Sequence, residues 1–294
     1  MINFLKYRPF YWAFSFLIFA VIGGVGFYKY YTHGSALSYS VEFTGGTQVL
    51  FGLSKTVHSE ELIKVLHAAG FKGIVARDFS GNDVLFRVSE YANDSKGLAD
   101  RMKEKLESGI PGLHVEIKQV DSVGPDTGSS LWFKSLLAIF IGLLLMLLYT
   151  WIRFWSLAYG IGVWASLFHD AVVIVGFFML FDYEISSSVI AALLAVLGYS
   201  INDSIVVLSR IRENIKRLRN VSVVEVANIS INETLRRTLL TSFATALVVV
   251  SLLVFGGQSL RPLSIALFVG IVFGTYSSIA VAIPSMLLFY RKKA

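Results

Sequence analysis

The chain contains no cysteine, which excludes a disulfide framework, a thiolate-bound metal and thiol catalysis. Charge is scarce as well: Asp, Glu, Lys and Arg make up 16% of the residues, against about one quarter in an ordinary soluble domain. With 55% hydrophobic residues and a mean hydropathy of +0.65, the 294 residues lack the polar surface to cover themselves in water. No GxxxxGK[ST] sequence is present, so the chain carries no nucleotide engine of the usual kind, and any energy it uses comes from ions or from another protein. His58, His67 and His114 are not at metal-ligand spacing and read as solvated or capping residues. The net charge of +6 does not point to nucleic acid, because the basic residues sit beside the ends of apolar runs.

Those runs dominate what is present. A helix needs about 20 apolar residues to cross a bilayer. Six segments qualify: Phe10–Tyr28, Leu131–Ile152, Trp155–Phe181, Ile185–Leu208, Thr238–Phe255 and Leu263–Tyr290. The first is preceded by Lys6 and Arg8, but its apolar core is too long for a signal peptide and no small-residue cleavage site follows. It is expected to be a retained helix.

Orientation follows from Lys and Arg. Lys6 and Arg8 precede the first span, and Arg153 lies between the second and third. Arg210, Arg212, Lys216, Arg217, Arg219, Arg236 and Arg237 fill the link between the fourth and fifth, and Arg291, Lys292 and Lys293 end the chain. With six spans all four places fall on one side, the cytoplasmic one. The opposite short loops carry Asp182, Glu184 and Arg261. Both termini are expected on the cytoplasmic side and the long segment after the first span on the opposite side, which in a bacterium means the periplasm or cell exterior.

That segment alternates strand and helix signals. Strands are expected at 47–53, 73–79, 83–89 and 114–120, with a short SGN turn between the middle two. Helices are expected at 58–70, where Gly70 supplies the stop, and at 95–108. The order βαββαβ predicts a ferredoxin-like α+β domain inserted in an α-helical membrane protein. The expected division is 1–32 for the first span, 33–130 for the external domain, and 131–294 for five more spans with a basic cytoplasmic loop between the fourth and fifth.

Polar residues inside apolar spans are costly, so each requires a reason. A carboxylate well inside the membrane costs about 2.5–3.5 kcal/mol on insertion scales. Asp203 sits in ALLAVLGYSINDSIVVL, with Tyr199 and Ser200 one turn away and Asn202 adjacent. Ending the span at Leu208 puts Asp203 on the order of 8 Å from the cytoplasmic end, where interfacial water is one alternative to a buried partner. Arg237 opens the fifth span, at the head of a polar stripe of Thr234, Thr238, Thr241 and Thr245. It reads either as the salt-bridge partner of Asp203 or as one more cytoplasmic anchor beside Arg236. His169 and Asp170 lie on the order of 20 Å into the third span. They read as a proton relay or as residues bonded to neighbouring helices, and a third group or water would have to join them to Asp203. Gly270, Gly274, Ser278 and Ala282 recur every fourth residue, a small-residue stripe that packs another helix, within the chain or from a partner.

Three sequence patterns, taken together, carry a resemblance. VEFTGGTQV (41–49) follows the first span, HDAVV (169–173) lies in the third, and LGYSINDSIVVLSRIREN (197–214) leads into INETLRRTLLTS (231–242). In that order they resemble the SecD/SecF protein-export family of the RND superfamily of proton-driven membrane machines, over essentially the whole chain. The resemblance implies a non-enzymatic, cofactor-free protein driven by the proton gradient, with Na+ as the alternative ion. It implies a homologous six-span partner, SecD, and work on unfolded polypeptide leaving the SecYEG channel after SecA, with YajC as a further associate. It assigns proton coupling to Asp203 and Arg237, and it marks Phe43, Gly45 and Gly46 as family-motif residues; Tyr199, Asn202, His169, Asp170, Thr238 and Thr241 stand beside that pair as candidate relay or supporting residues from their place in the spans. Glu42 stands where Asp is expected, and Ser209 where many relatives carry Asp before Arg-Ile-Arg. The second departure removes a carboxylate that could have served proton exit. Two other classes remain as rivals: a half-size exporter of lipids or small molecules, and a passive assembly factor.

Overall fold

A computed structural model describes residues 1–71, 73–78, 81–88 and 94–290. Phe79, Ser80 and Ser89, at the expected strand ends and turn, and the basic terminal residues Arg291, Lys292 and Lys293 lie outside the described residues. The chain divides into two compact units, Tyr39–Leu136 and Met1–Ser38 with Leu137–Ala294.

In chain order, helix α1 (Arg8–His33) is followed by the first unit. It opens on a single turn, α2 (Val41–Thr44), and continues with β1 (Gly46–Leu53), α3 (Ser59–Ala68), β2 (Ile74–Asp78), β3 (Asp83–Val88), α4 (Ser95–Gly109) and β4 (Val115–Val123). The strands form one antiparallel sheet in the order β2-β3-β1-β4. In this register Val49 of β1 faces Phe86 on one side and Val120 on the other, with an irregularity against β4 between Leu50 and Phe51. Alternate residues point to one face. Val49, Phe51 and Leu53 therefore meet Val84, Phe86 and Val88 in a single core. The Phe51 and Phe86 rings pack edge-on at 5.7 Å. Leu62 and Leu66 of α3, with Leu98, Met102 and Leu106 of α4, fill the same core, since residues four apart share a helix face. Gly70, at φ +94°, ends α3 as expected.

The FTGG pattern builds the base of this unit. Gly45 and Gly46 have φ of 74° and 111°, which side-chain-bearing residues rarely adopt, so the chain can turn from α2 directly into β1. Gly128 at the start of α5 (Pro125–Phe154) lies so close that an added Cβ would stand 2.9 Å from the Phe43 carbonyl oxygen. Trp132 packs edge-on against Tyr39 at 4.8 Å and Phe43 at 5.4 Å. Arg87 donates to the Tyr39 carbonyl at 2.7 Å and to the Thr44 hydroxyl. Phe43, Gly45 and Gly46 thus act as a fold-forming corner.

The second unit is helical: the remainder of α5, then α6 (Leu157–Leu180), α7 (Ser187–Arg217), α8 (Val223–Phe255), α9 (Gly257–Ala280) and α10 (Ala282–Phe289). Six helical stretches are long and apolar enough to cross a membrane among the described residues, and the last is formed by α9 and α10 together. Their break falls at Val281, three residues before Pro284, which has no N–H to bond the preceding turn. The most apolar windows of the first two stretches are 6% and 0% buried, against 56%, 50% and 61% in the third, fourth and sixth. The inner layer is therefore α6, α7 and α9–α10, while α1 and α5 turn apolar surface outward.

One expectation changes. The basic segment between the fourth and fifth spans is almost entirely helix: α7 runs on to Arg217, α8 begins at Val223, and only 218–222 link them. Ion pairs hold the extension, with Glu233 of α8 bound by Arg210 at 2.7 Å and Arg217 at 3.2 Å. Asn214 donates to Glu233 at 2.7 Å and to Ser230 at 2.9 Å. The same lengthening of α8 brings Asn228 and Asn232 to the N-terminus, where their side-chain oxygens accept from the Phe4 and Ile2 backbone N–H at 2.8 and 2.9 Å.

Candidate functional site

Because α7 continues to Arg217, Asp203 is not near a helix end. It is residue 17 of 31, on the order of 20 Å from either terminus by helical rise. It is also 4% exposed, so contact with interfacial water does not explain it. The surrounding sequence is apolar on the faces that pack, which leaves hydroxyl groups as the neighbours of the carboxylate.

Ser242 of α8 donates to Asp203 Oδ2 at 3.3 Å. Tyr199 and Thr275 in turn donate to the Ser242 oxygen at 3.3 and 2.7 Å. One serine therefore joins α7, α8 and α9 around the carboxylate. Arg237 does not form the expected salt bridge: no ion pair within 4.0 Å joins it to Asp203 among the described residues, and its side chain is exposed. It lies instead on the exposed side of α8. The reason is angular. Residues four apart stay nearly in line on a helix, so Ser230, Thr234, Thr238 and Ser242 form the buried polar stripe of α8. Arg237 is offset from that line by one residue.

The same geometry revises the supporting residues. Thr238 is buried and its hydroxyl oxygen has no hydrogen-bond partner among the described residues. Thr241 is exposed and returns its hydroxyl to its own helix, at 3.1 Å from the Arg237 carbonyl and 2.9 Å from that of Thr238. Asn202 is also exposed, on the side of α7 opposite to its buried face. Neither joins the cluster. Ser242 and Thr275 were not singled out in the sequence. Ser242 was legible as the next step of an every-fourth-residue series, but the stripe ending on Thr241 and Thr245 concealed it. Thr275 has no comparable signal, because its position depends on how α9 docks.

A second polar centre lies one turn away. Ser200 of α7 donates to Asp170 Oδ2 at 2.6 Å. Asp170 is 0% exposed and His169 2%. The His169 Nδ1 to Asp170 Oδ1 separation is 3.5 Å. Ser200 ties this pair to α7, one turn before Asp203, while the Asp203 carboxylate itself is bonded by Ser242. The small-residue stripe makes the close approach possible. A Cβ on Gly274 would stand 3.2 Å from Ser200 Cβ and 3.6 Å from Asp170 Oδ2, and one on Gly270 only 2.4 Å from Val196 Cγ1. Ser278 is fully buried and donates to the Thr275 carbonyl at 2.9 Å. The stripe thus packs α9 on α7 within this chain. Among the described residues no group of three His, Asp or Glu side chains is placed to hold a metal ion.

Comparison with known proteins supplies the context. The family model "Protein export membrane protein SecD/SecF, C-terminal" matches residues 102–293. The protein translocase subunit SecF of Rickettsia bellii is 33% identical over 297 residues, covering 99% of this chain and 94% of its own. That of Koribacter versatilis is 52% identical over 176 residues, 60% of this chain and 43% of the relative. The crystal structure of SecDF, a translocon-associated membrane protein from Thermus thermophilus, matches with a TM-score of 0.86 at 35% identity. The alignment covers 98% of this chain but only 38% of that longer one. A SecDF crystal structure described as a super-membrane-facing form matches with a TM-score of 0.68 at 34% identity.

Proposed function

The chain belongs to the SecD/SecF protein-export family, among the SecF translocase subunits, and from that premise we propose that it is half of a proton-driven motor for protein export. It works with SecD in the bacterial inner membrane and draws on the proton-motive force to pull polypeptide from SecYEG after SecA has pushed it in, with YajC as an associate. It catalyses no reaction of its own and needs no cofactor beyond the ion gradient, taken as H+ with Na+ as the alternative ion. The external unit is a ferredoxin-like domain, supported by its strand order β2-β3-β1-β4 with helices after the first and third strands in sequence.

One observation carries the reading: a carboxylate 4% exposed in the middle of a long apolar helix, bonded by a hydroxyl chain, with no ion pair to Arg237 of the next helix among the described residues. Such an acid is expensive to keep ionised without a cavity or a direct partner. Two arrangements then compete. In one, seen here, Ser242 donates to Asp203. In the other, a shift of α8 on α7 pairs Arg237 with the ionised carboxylate. Protonation removes the attraction that favours the second, so it selects between them. A charge crossing the membrane potential releases about 2.3 kcal/mol per 100 mV, which is about fiftyfold in a two-state equilibrium.

The test separates the two threonine and serine faces of α8. Ser242→Ala removes the donor to Asp203 and is expected to slow gradient-dependent precursor export severalfold in cells. Thr241→Ala, on the exposed face, is expected to leave the rate unchanged. Equal rates for both variants would detach the Ser242 cluster from the motor.

Orientation has its own check. A reporter active only outside the cytoplasm is expected to be silent when fused after Arg153 or Leu218 and active when inserted at Asn82. Activity at Leu218 would overturn the proposed cytoplasmic placement of the α7–α8 link.

A further inference from the structure

The Asp203 cluster leaves the centre formed by Asp170 and His169 without a task. Its burial is deeper and its polar groups are less satisfied. Ser200 bonds Asp170 Oδ2, yet Asp170 Oδ1 and both ring nitrogens of His169 have no hydrogen-bond partner among the described residues. The great majority of buried polar atoms are paired, and an orphan in a native structure calls for an explanation. Two of these atoms, Asp170 Oδ1 and His169 Nδ1, face each other at 3.5 Å, an ion pair when the imidazole is charged, and Nε2 has no hydrogen-bond partner among the described residues, on side chains 0% and 2% exposed.

The groups around the pair are otherwise weakly charged. From α1, the Phe19 ring lies 5.4 Å from the imidazole. From α9, the Tyr276 ring lies 5.8 Å from it, and its phenol donates to the Tyr11 carbonyl at 3.1 Å. Gly274 and the buried Ser277 complete that side. From α7 comes Ser200, with Asp203 three residues further along the same helix. No Lys or Arg forms an ion pair with Asp170 among the described residues. A proton, or the imidazole as imidazolium, is thus the available means of neutralising it.

We infer that Asp170, assisted by His169, is a second proton-binding station of the bundle, one helical turn of α7 from Asp203. A hydronium ion gives its proton to Asp170 Oδ1, forming a carboxylic acid and leaving water, and release reverses the step. His169 faces the same oxygen and can hold the proton instead, as imidazolium beside carboxylate. Ser200 keeps its bond to Oδ2 in either state, so the carboxyl group stays oriented while Oδ1 gains and loses hydrogen. The inference rests on the proton-motor reading and adds that two acids, not one, change protonation.

Infrared difference spectroscopy of the purified chain with its six-span partner in lipid, stepped between acid and alkaline pH, tests it. Two protonated-carboxyl bands that vanish at alkaline pH are expected. Asp203→Asn is expected to remove one and Asp170→Asn the other. Ser200→Ala, which retains the acid, is expected to shift the frequency of the Asp170 band without abolishing it, and this guards against an Asp170→Asn chain that fails to fold. Bands lost with Asp203→Asn but unmoved by both Asp170→Asn and Ser200→Ala would overturn the second station and leave the motor standing. If Asp203→Asn removes no band while the Asp170 band behaves as expected, the single-site motor reading fails and the Asp170 station survives.

Discussion

Asp203→Asn is expected to abolish the gradient-dependent part of precursor export, a loss of at least about tenfold, or about 1.4 kcal/mol and more in the driven step. The amide has nearly the size of the carboxylate and can still accept from Ser242, whose hydroxyl stands 3.3 Å away. Packing around the 4% exposed position is therefore kept, and membrane insertion and association with SecD are expected to be normal. What the variant loses is the ability to become charged. Arg237→Met is expected to give the same export defect by a different route, since it removes the nearby cation and leaves the carboxylate able to ionise. Export would be measured with the gradient intact and collapsed. A normal rate with normal gradient dependence for Asp203→Asn would make the passive assembly factor the better description.

Gly270→Leu is expected to have the largest effect on the fold. A Cβ at this position would stand 2.4 and 2.5 Å from the two methyl carbons of Val196, which is itself 1% exposed. Neither side can yield easily, because Val196 is β-branched and fixed within α7. Extra methylenes in a packed core typically cost about 1–3 kcal/mol, and a whole isobutyl group between two inner helices belongs at or above the upper end. The expected readout is a lowered Tm in detergent and a poor yield of folded protein. Gly198→Ala is the control: nothing stands within 4 Å of its Cβ position, and replacing a mid-helix glycine is expected to stabilise by about 0.5–1 kcal/mol. An unchanged Tm for Gly270→Leu would contradict the α7–α9 contact. Because Gly274 packs on Ser200 inside the chain, Gly274→Leu is expected to disturb the Asp170 centre rather than to act directly on a partner surface.

The six apolar stretches and the strand and helix order of the Tyr39–Leu136 unit were legible in the residues alone, because both depend on local periodicity. Apolar runs near the bilayer thickness announce themselves, and so does the alternation of Val49, Phe51 and Leu53. Asp203 and the His169–Asp170 pair were also visible, since a charged group in an apolar run is conspicuous wherever it points. Where each helix stops was harder. The fourth span was ended at Leu208 by its hydropathy, yet the charged turns to Arg217 remain helical because Glu233 on the next helix binds Arg210 and Arg217. Hydropathy marks the end of the apolar run, not the end of the helix, so Asp203, near the end of the first, is in the middle of the second.

Partner choice was much less legible. The 100° turn per residue puts Ser242 and not Thr241 on the buried line, so a one-residue difference separates a ligand of the carboxylate from an exposed hydroxyl. By itself the sequence determined which residues are costly in a membrane, because that cost belongs to the residue and its immediate neighbours. Only the tertiary structure decided what they touch. The rotation and depth of α8 and α9 against α7 exchanged the expected Arg237 contact for Ser242, brought Ser200 to Asp170, and turned the Gly270–Gly274 stripe inward. Those placements are set by the packing of side chains far apart in the chain, at contacts whose angles no local pattern encodes.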